Sequence, residues 1–369
     1  MNPKIIIPQE LLLEIKSCSD GLEDCYGISR PDEGLIQVLS LQPHDDLKKV
    51  ARINFQRIEL EDYPYSIPFA EMETIPVSDE FISRSQGVID TSIVAGRKVA
   101  FIGLGSVGSQ IALHLTQSAV GRFILLDPDG FSASNLARHV CDMRDLGRYK
   151  TKAVKDMILR RNPQAAIQTF EENLLDLSWH EQMERLQGSD LVISTTDSTA
   201  AQFMANELCH SLQIPSLYVG CYERACAGEI LFVKPGQTAC FNCFMEFRQS
   251  YLLELKKKEQ RIPYSDEQPS ELKAEPGLAI DIAYIVAIAS AYALALLLPD
   301  SNRNSLLDLE RNLALVHAGS PPQGRYSEIF HQPFDFLLAR VKRDDACPIC
   351  QKSTGGTYET STDFSRNPV

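Results

Sequence analysis

The sequence predicts an α/β protein: a mostly parallel sheet covered by helices on both faces, preceded by a small α/β module. Three observations carry this. From Lys98 onward, short apolar runs alternate with amphipathic stretches. A glycine-rich turn at 103–108 joins the first such run to the first such stretch. Residues 1–90 have a different texture, mixing short apolar runs with turn formers.

In chain order, Ile5, Ile6 and Ile7 read as a strand, as do residues 35–39, and residues 8–15 read as a helix entered through Pro8. The role of this module is not legible. Residues 98–102 form a buried strand, 109–117 a helix and 123–127 a second strand. Residues 150–161 form a helix with apolar positions Ala153, Val154, Met157 and Ile158, ended by Asn162 and Pro163. Residues 190–194, 215–219 and 228–233 add strands. Residues 249–277 are polar, with a run of three lysines and three prolines, and predict a surface helix running into a long crossover loop. Residues 278–298 are almost wholly apolar, but Asp281 lies among them and Pro299 and Asp300 close them. That pattern predicts a buried core helix rather than a membrane span. The expected division is therefore 1–90, 91–352 and a disordered Ser/Thr/Gly-rich tail, 353–369. No internal repeat is visible.

Of the 369 residues, 44% are apolar and 23% charged, enough to bury a sizeable core. The net charge of −13 argues against nucleic acid as the main partner, since phosphate backbones need a basic face. The first residues carry no signal-peptide pattern, so a cytoplasmic protein is expected and its ten cysteines are read as thiols or metal ligands.

The turn Gly103, Leu104, Gly105, Ser106, Val107, Gly108 follows a strand and opens a helix. Glycines there permit a tight turn and let backbone amides approach phosphate at the positive helix end. Asp127 ends the next strand, where a carboxylate can accept from ribose hydroxyls. This is a Rossmann-like signature, and alone it fits NAD, FAD or ATP. The run after Asp127 narrows it, because a second acid (Asp129), then Asn135 and Arg138, have no use in hydride transfer. Chemistry at an ATP α-phosphate uses such groups, with cations neutralising growing charge and an acid holding magnesium.

The ordered set then resembles the ThiF/MoeB/ubiquitin-activating family of adenylating enzymes. Its pattern is a glycine loop, D-x-D-x-x-x-x-S-N-L-x-R (here from Asp127 to Arg138), G-x-x-K (Gly147 to Lys150), and an aspartate after a third strand (Asp197), with Asn206 on the next helix. The resemblance covers roughly residues 80–350. It implies ATP bound by Gly103, Gly105, Ser106, Gly108 and Asp129, with Asp127 on the ribose. It also implies Asn135, Arg138 and Lys150 on the phosphates, and Asp197 holding Mg2+. It implies a homodimer in which Arg84 reaches the opposite protomer's site. Ser106, His139 and Gln202 stand where the family often has glycine, glutamine and arginine. In isolation, Asp197 would read as a helix cap and Lys150 as a solvated lysine at a helix start.

The implied activity is ATP-dependent adenylation of the C-terminal carboxylate of a ubiquitin-like or sulfur-carrier protein, with a conjugating enzyme as a further expected partner. Alternatives are adenylation of a short peptide, as in microcin-type modification, a non-catalytic partner of a heterodimeric activating enzyme, and a dehydrogenase. An acyl acceptor is sought at Ser265, Ser270 or Cys221, although a buried thiol is the plain reading of Cys221. Finally, Cys240 with Cys243 and Cys347 with Cys350 form two C-x-x-C pairs, which together can complete a structural Zn2+ site. Redox pairs are the alternative; neither pair is expected to open a helix after a thioredoxin-like strand. The resembling family often carries the same two pairs.

Overall fold

The computed structural model describes residues 81–256, 277–298 and 301–352 throughout. Within 1–80 it describes segments 3–9, 22–30, 35–43, 47–53, 57–61, 66–68 and 73–75, with residues 11, 15 and 33. The chain forms two compact units, 1–86 and 87–369. The expected crossover loop beyond Lys256, with Ser265 and Ser270, and the expected tail 353–369 lie outside the described residues.

The first unit is built on a seven-stranded mixed sheet: β1 (Lys4–Pro8), β2 (Glu23–Arg30), β3 (Leu35–Ser40), β4 (Lys48–Ile53), β5 (Arg57–Leu60), β6 (Ser66–Pro68) and β7 (Glu73–Ile75), in the order β6-β5-β4-β2-β3-β1-β7. β1 runs parallel to β3 and β7, and the remaining pairs are antiparallel. Alternation places Ile5, Ile7, Ile36, Val38, Ile53 and Ile58 on one buried face. Both expected strands are present. The helical start differs: Pro8 closes β1, and helical backbone begins at Gln9. A proline at a strand's end withholds no ladder hydrogen bond, so both placements satisfy its chemistry.

The second unit opens with helix α1 (Thr91–Gly96), capped by Asp90, whose carboxylate accepts from the Ser92 and Ile93 amides. Its eight strands are β8 (Lys98–Ile102), β9 (Arg122–Leu126), β10 (Ala166–Phe170), β11 (Leu191–Ser194), β12 (Ser216–Cys221), β13 (Ala227–Val233), β14 (Leu313–His317) and β15 (Phe336–Ala339). They lie in the order β10-β9-β8-β11-β12-β13-β14-β15. The first five are parallel and the last three antiparallel. The strand order reverses between β8 and β11, a switch point whose carboxyl edge forms a natural crevice.

Helices are α2 (Ser106–Gln117), α3 (Lys150–Leu159), α4 (Trp179–Leu186), α5 (Thr199–Leu212), α6 (Phe241–Lys256), α7 (Ala279–Leu297) and α8 (Pro348–Lys352). Successive strand residues face opposite cores. Val99, Phe101, Leu125, Ile193 and Phe232 pack with α2, α3 and α7. Ala100, Ile102, Leu126, Val192 and Leu231 pack with α5, α6 and α8. Burial on both faces is why β8 and β11 read as continuous apolar runs.

Helix α7 is long and apolar enough to cross a membrane by length and composition. It lies instead in the core: Ile282, Ile285, Val286, Ala289 and Ala293 are buried, and Tyr292 stacks on Phe232. Ser290 hydrogen-bonds His114 of α2 at 3.0 Å. Asp281, the acid in the apolar run, accepts from the Gly319 amide.

Candidate active site and metal centre

The glycine turn is dictated by contact. Gly103 has φ +93°, and a Cβ there would lie 2.8 Å from the Thr196 nitrogen. A Cβ on Gly108 would lie 2.3 Å from the Gly103 oxygen. Both glycines let the turn fold against the 195–196 loop, where the Thr195 hydroxyl donates to the Gly103 carbonyl at 2.7 Å. Gly103→Ala is therefore expected to cost about 3 kcal/mol or more of stability, from left-handed strain plus a backbone clash; a chemical melt unchanged from wild type would contradict this. Gly105 differs: a Cβ there meets nothing within 4 Å. It is the N-cap of α2, and among the described residues no side chain caps that helix. Among the described residues, open space thus remains beside Gly105 at the first turn, as a phosphate cradle requires.

Asp127, only 5% exposed, straps this turn to β9. One carboxylate oxygen accepts from the Leu104 amide at 2.6 Å and the other from the Asp129 amide at 2.8 Å. Burial pushes its carboxyl up, and the backbone donors and Lys150 pull it back. Lys150 is buried at the start of α3, not solvated, with Nζ 2.7 Å from Asp129 and 3.9 Å from Asp127. It is delivered there by a return of the chain: Gly147 (φ +84°) donates to the Phe131 carbonyl, and Tyr149 bridges Gly130. Arg148 in the same motif is structural, paired with Asp145 and Asp156.

Asp197 is exposed and makes no hydrogen bond or ion pair with the described residues. It does not cap α5; Ser198 does, accepting from the Ala201 amide. Gln202 donates to the Thr196 carbonyl at 3.1 Å, holding the loop that presents Asp197.

These groups meet in a cavity of about 280 Å³ at the switch point, close to the lower end of ordinary small-molecule sites. Its lining includes Gly103, Gly105, Asp127, Asp129, Lys150 and Asp197. Asn135 and Arg138 are not in that lining. Asn135 closes a capping box, its Oδ1 accepting from the Ser132 amide and hydroxyl. Arg138 lies close enough to Cys221 to lower its thiol. Arg84 belongs to the first unit and is exposed.

Cys221 corrects the buried-thiol reading: it ends β12 and is exposed. Solvent reaches it, but protein crowded round the thiol, then Asp197 and Glu229, push it up to about 12. It is held as the neutral thiol, which disfavours a nucleophilic role.

His139 was not singled out for a role by sequence. Its Nδ1 accepts from the Cys141 amide at 3.1 Å, so Nε2 carries the proton and donates to the Leu104 carbonyl at 2.8 Å. Burial, then the nearby Lys150, hold it below the usual histidine range. Below pH about 6.5 the unfolded chain binds a proton that this native imidazole refuses, so stability falls as pH drops through that value. His114, His210 and His317 act in the same sense. Asp127, raised on folding, acts oppositely at lower pH. His139→Gln is expected to flatten the stability slope between pH 7 and 5.5; an unchanged slope would remove His139 from the linkage.

The four predicted metal cysteines converge. Sγ atoms of Cys240, Cys243, Cys347 and Cys350 lie within 4.8 Å of one another, all buried. Separations are 3.8 Å (Cys240 to Cys243), 3.6 Å (Cys240 to Cys347) and 3.7 Å (Cys243 to Cys350). Tetrahedral zinc with sulfur at about 2.3 Å has edges of roughly 3.8 Å, so the donor set fits. Contrary to expectation, both pairs adjoin helix starts, since Cys240 precedes α6 and Cys347 precedes α8. The two pairs nevertheless face each other, as a shared metal requires. Hydrogen bonding with Cys240 and Cys350, then the Asp344 amide, hold the Cys243 thiol low. Asn206, fully buried, ties α5 to this turn, accepting from the Phe241 amide and donating to Asn242.

The second unit is thus a doubly wound domain with a phosphate-type glycine turn, an acidic and basic cleft and a four-cysteine centre. Residues 89–312 match the ThiF family, and the chain belongs to it. It is 29% identical over 186 residues to ubiquitin-like modifier-activating enzyme 5 of Arabidopsis thaliana, covering 47% of this chain and 43% of that protein. Against the Xenopus laevis protein of the same name it is 32% identical over 154 residues, covering 39% of each. The match spans less than half the length of these relatives. The fold resembles Escherichia coli MccB crystallised with ATP (TM-score 0.53, 18% identity, 70% of this chain and 68% of that one). It also resembles PaaA (TM-score 0.53, 19% identity, 72% and 83%).

Proposed function

We propose that this protein adenylates the C-terminal carboxylate of a ubiquitin-like or sulfur-carrier protein. The observation that carries this reading is the cavity at the switch point, where a buried lysine meets, among the described residues, a helix start without a side-chain cap and an exposed aspartate without a partner. The substrate carboxylate oxygen attacks the ATP α-phosphorus, forming the acyl–phosphate bond. The bond to the β-phosphate oxygen breaks, and pyrophosphate leaves with its electron pair. Asp127 holds the ribose edge while its strap to Leu104 fixes the glycine turn. Lys150 exchanges Asp129 for phosphate oxygens, and Arg138, with Asn135, adds positive and donor character at the outer edge of the site. Asp197 would hold Mg2+, which when bound offsets charge on the phosphates. The cysteine cluster would hold Zn2+ and staple residues 347–350 to α6; it takes no part in the chemistry. A cytoplasmic setting and a conjugating-enzyme partner belong to the same reading. The second reading is a short peptide substrate, favoured by the separate first unit with its own core.

The same proposal includes a homodimer in which Arg84 serves the opposite site. Arg84→Ala and Asp197→Ala chains, each inactive alone, are expected to regain part of the wild-type pyrophosphate exchange when co-assembled, because one site of the mixed dimer is then intact. Full activity of Arg84→Ala alone would discard the shared site, leaving Arg84 as an ordinary surface charge worth about 0–1 kcal/mol.

A further inference from the structure

One polar cluster in the second unit is left over from the chemistry above. Gly220 and Glu229 are direct partners across β12 and β13. Glu229 shares its face of β13 with Ala227, Leu231 and Val233, which belong to the core under α5 and α6. Its side chain is only 12% exposed. A carboxylate in such a place is costly unless its oxygens are satisfied. Tyr222 donates its hydroxyl to Oε2 at 2.6 Å, and Arg248 Nε lies 3.5 Å from the same oxygen. Both partners use Oε2, and among the described residues Oε1 accepts no hydrogen bond. Oε1 lies over Gly220, where a Cβ would come within 3.1 Å of it. The glycine is what lets the carboxylate lie across β12.

The cluster adjoins the cleft without being part of its lining. Cys221, next to Gly220, feels both Asp197 and Glu229. The loop joining β12 to β13 holds two non-glycine residues in the left-handed region, Arg224 (φ 58°) and Ala225 (φ 55°). Gly277 lies against this loop, where an added Cβ would meet the Ala225 Cβ at 3.1 Å, and Arg248 of α6 lies over the Tyr222 ring, 5.9 Å from its centroid. Strained backbone of this kind persists where surrounding structure holds it for a purpose.

We propose that Glu229 is a specificity-determining residue for the acyl substrate. Its Oε1 accepts the N–H of a peptide amide in the substrate's extended C-terminal segment, one or two residues before the activated carboxylate. This rests on the adenylation reading. Arg248 already balances the charge of Glu229, so a cationic side chain gains little there, whereas a neutral amide satisfies Oε1 without adding charge.

The probe is a triglycyl sulfamoyladenosine, a stable mimic of a peptidyl adenylate, with two analogues in which one or the other peptide amide is replaced by an ester. Binding is measured by calorimetry to the full chain, alongside sulfamoyladenosine alone. In wild type, one ester replacement is expected to weaken binding about tenfold, as loss of a hydrogen bond to a charged group does. In Glu229→Gln that penalty should vanish, while sulfamoyladenosine binds as in wild type and the melting temperature confirms a folded chain. Equal binding of all three peptidyl probes to wild type, or an ester penalty that persists in Glu229→Gln, overturns the role of Glu229 and leaves adenylation standing. If Glu229→Gln does not fold, Gly220→Ala, whose Cβ would crowd Oε1, is expected to shrink the penalty; an undiminished penalty there overturns the role too. Failure of sulfamoyladenosine alone to bind wild type overturns the adenylation reading, and this inference with it.

Discussion

Asp197→Ala is expected to lower ATP–pyrophosphate exchange by about a thousandfold or more, measured with a carrier protein or peptide that supports exchange in wild type. The magnitude follows from removing the carboxylate that would hold the metal against a triphosphate, leaving that charge unbalanced as the acyl oxygen attacks. Stability should move by no more than about 0.5 kcal/mol, because Asp197 is exposed and has no partner to lose among the described residues. That separation makes Asp197 a cleaner probe than Asp127, whose carboxylate holds the glycine turn and whose loss would disturb the fold as well. Exchange within tenfold of wild type would remove metal binding from Asp197. Binding of NADH without binding of ATP would end the adenylation reading altogether.

Cys347→Ser is expected to release about one equivalent of zinc per chain and to destabilise the second unit by several kcal/mol, since a structural metal contributes its binding energy to folding. The cluster joins the start of α6 to residues 347–350, more than a hundred residues apart in sequence. Proteolysis near the C-terminal end should therefore quicken in the variant while ATP binding persists. Absence of zinc in wild-type protein purified under reducing, chelator-free conditions would refute the site.

Much of the second unit was legible because its signals are local. Strands such as β8 and β11 are buried on both faces and declare themselves as apolar runs. The glycine turn is set by backbone sterics, and the lysine motif by a turn that needs Gly147 at positive φ. The strands missed were β10, β14 and β15. β10 and β15 lie at the sheet's two edges and carry mixed, half-exposed residues, so periodicity gives little warning of them. β14 is fully buried but short, and its only cue was an apolar run among turn formers. In the first unit a seven-stranded sheet stood behind two readable strands, because its other strands are short or alternate with charge.

The site divides the same way. Sequence alone determined which residue types stand in which order: the glycines, Asp127, Asp129, Lys150, Asp197 and the two cysteine pairs. It could do so because each is bound to its neighbours by turn geometry or by short spacing along one element. Tertiary structure decided what each group is free to do. It buries Lys150 between two carboxylates, frees Asp197 from capping, and commits the Asn135 carbonyl to Ser132. It brings the cysteine pairs face to face, exposes Cys221 as a neutral thiol, and lays Glu229 across Gly220. These outcomes depend on distances between segments far apart in the chain. Burial, hydrogen-bond supply and electrostatic neighbours exist only once the sheet has assembled.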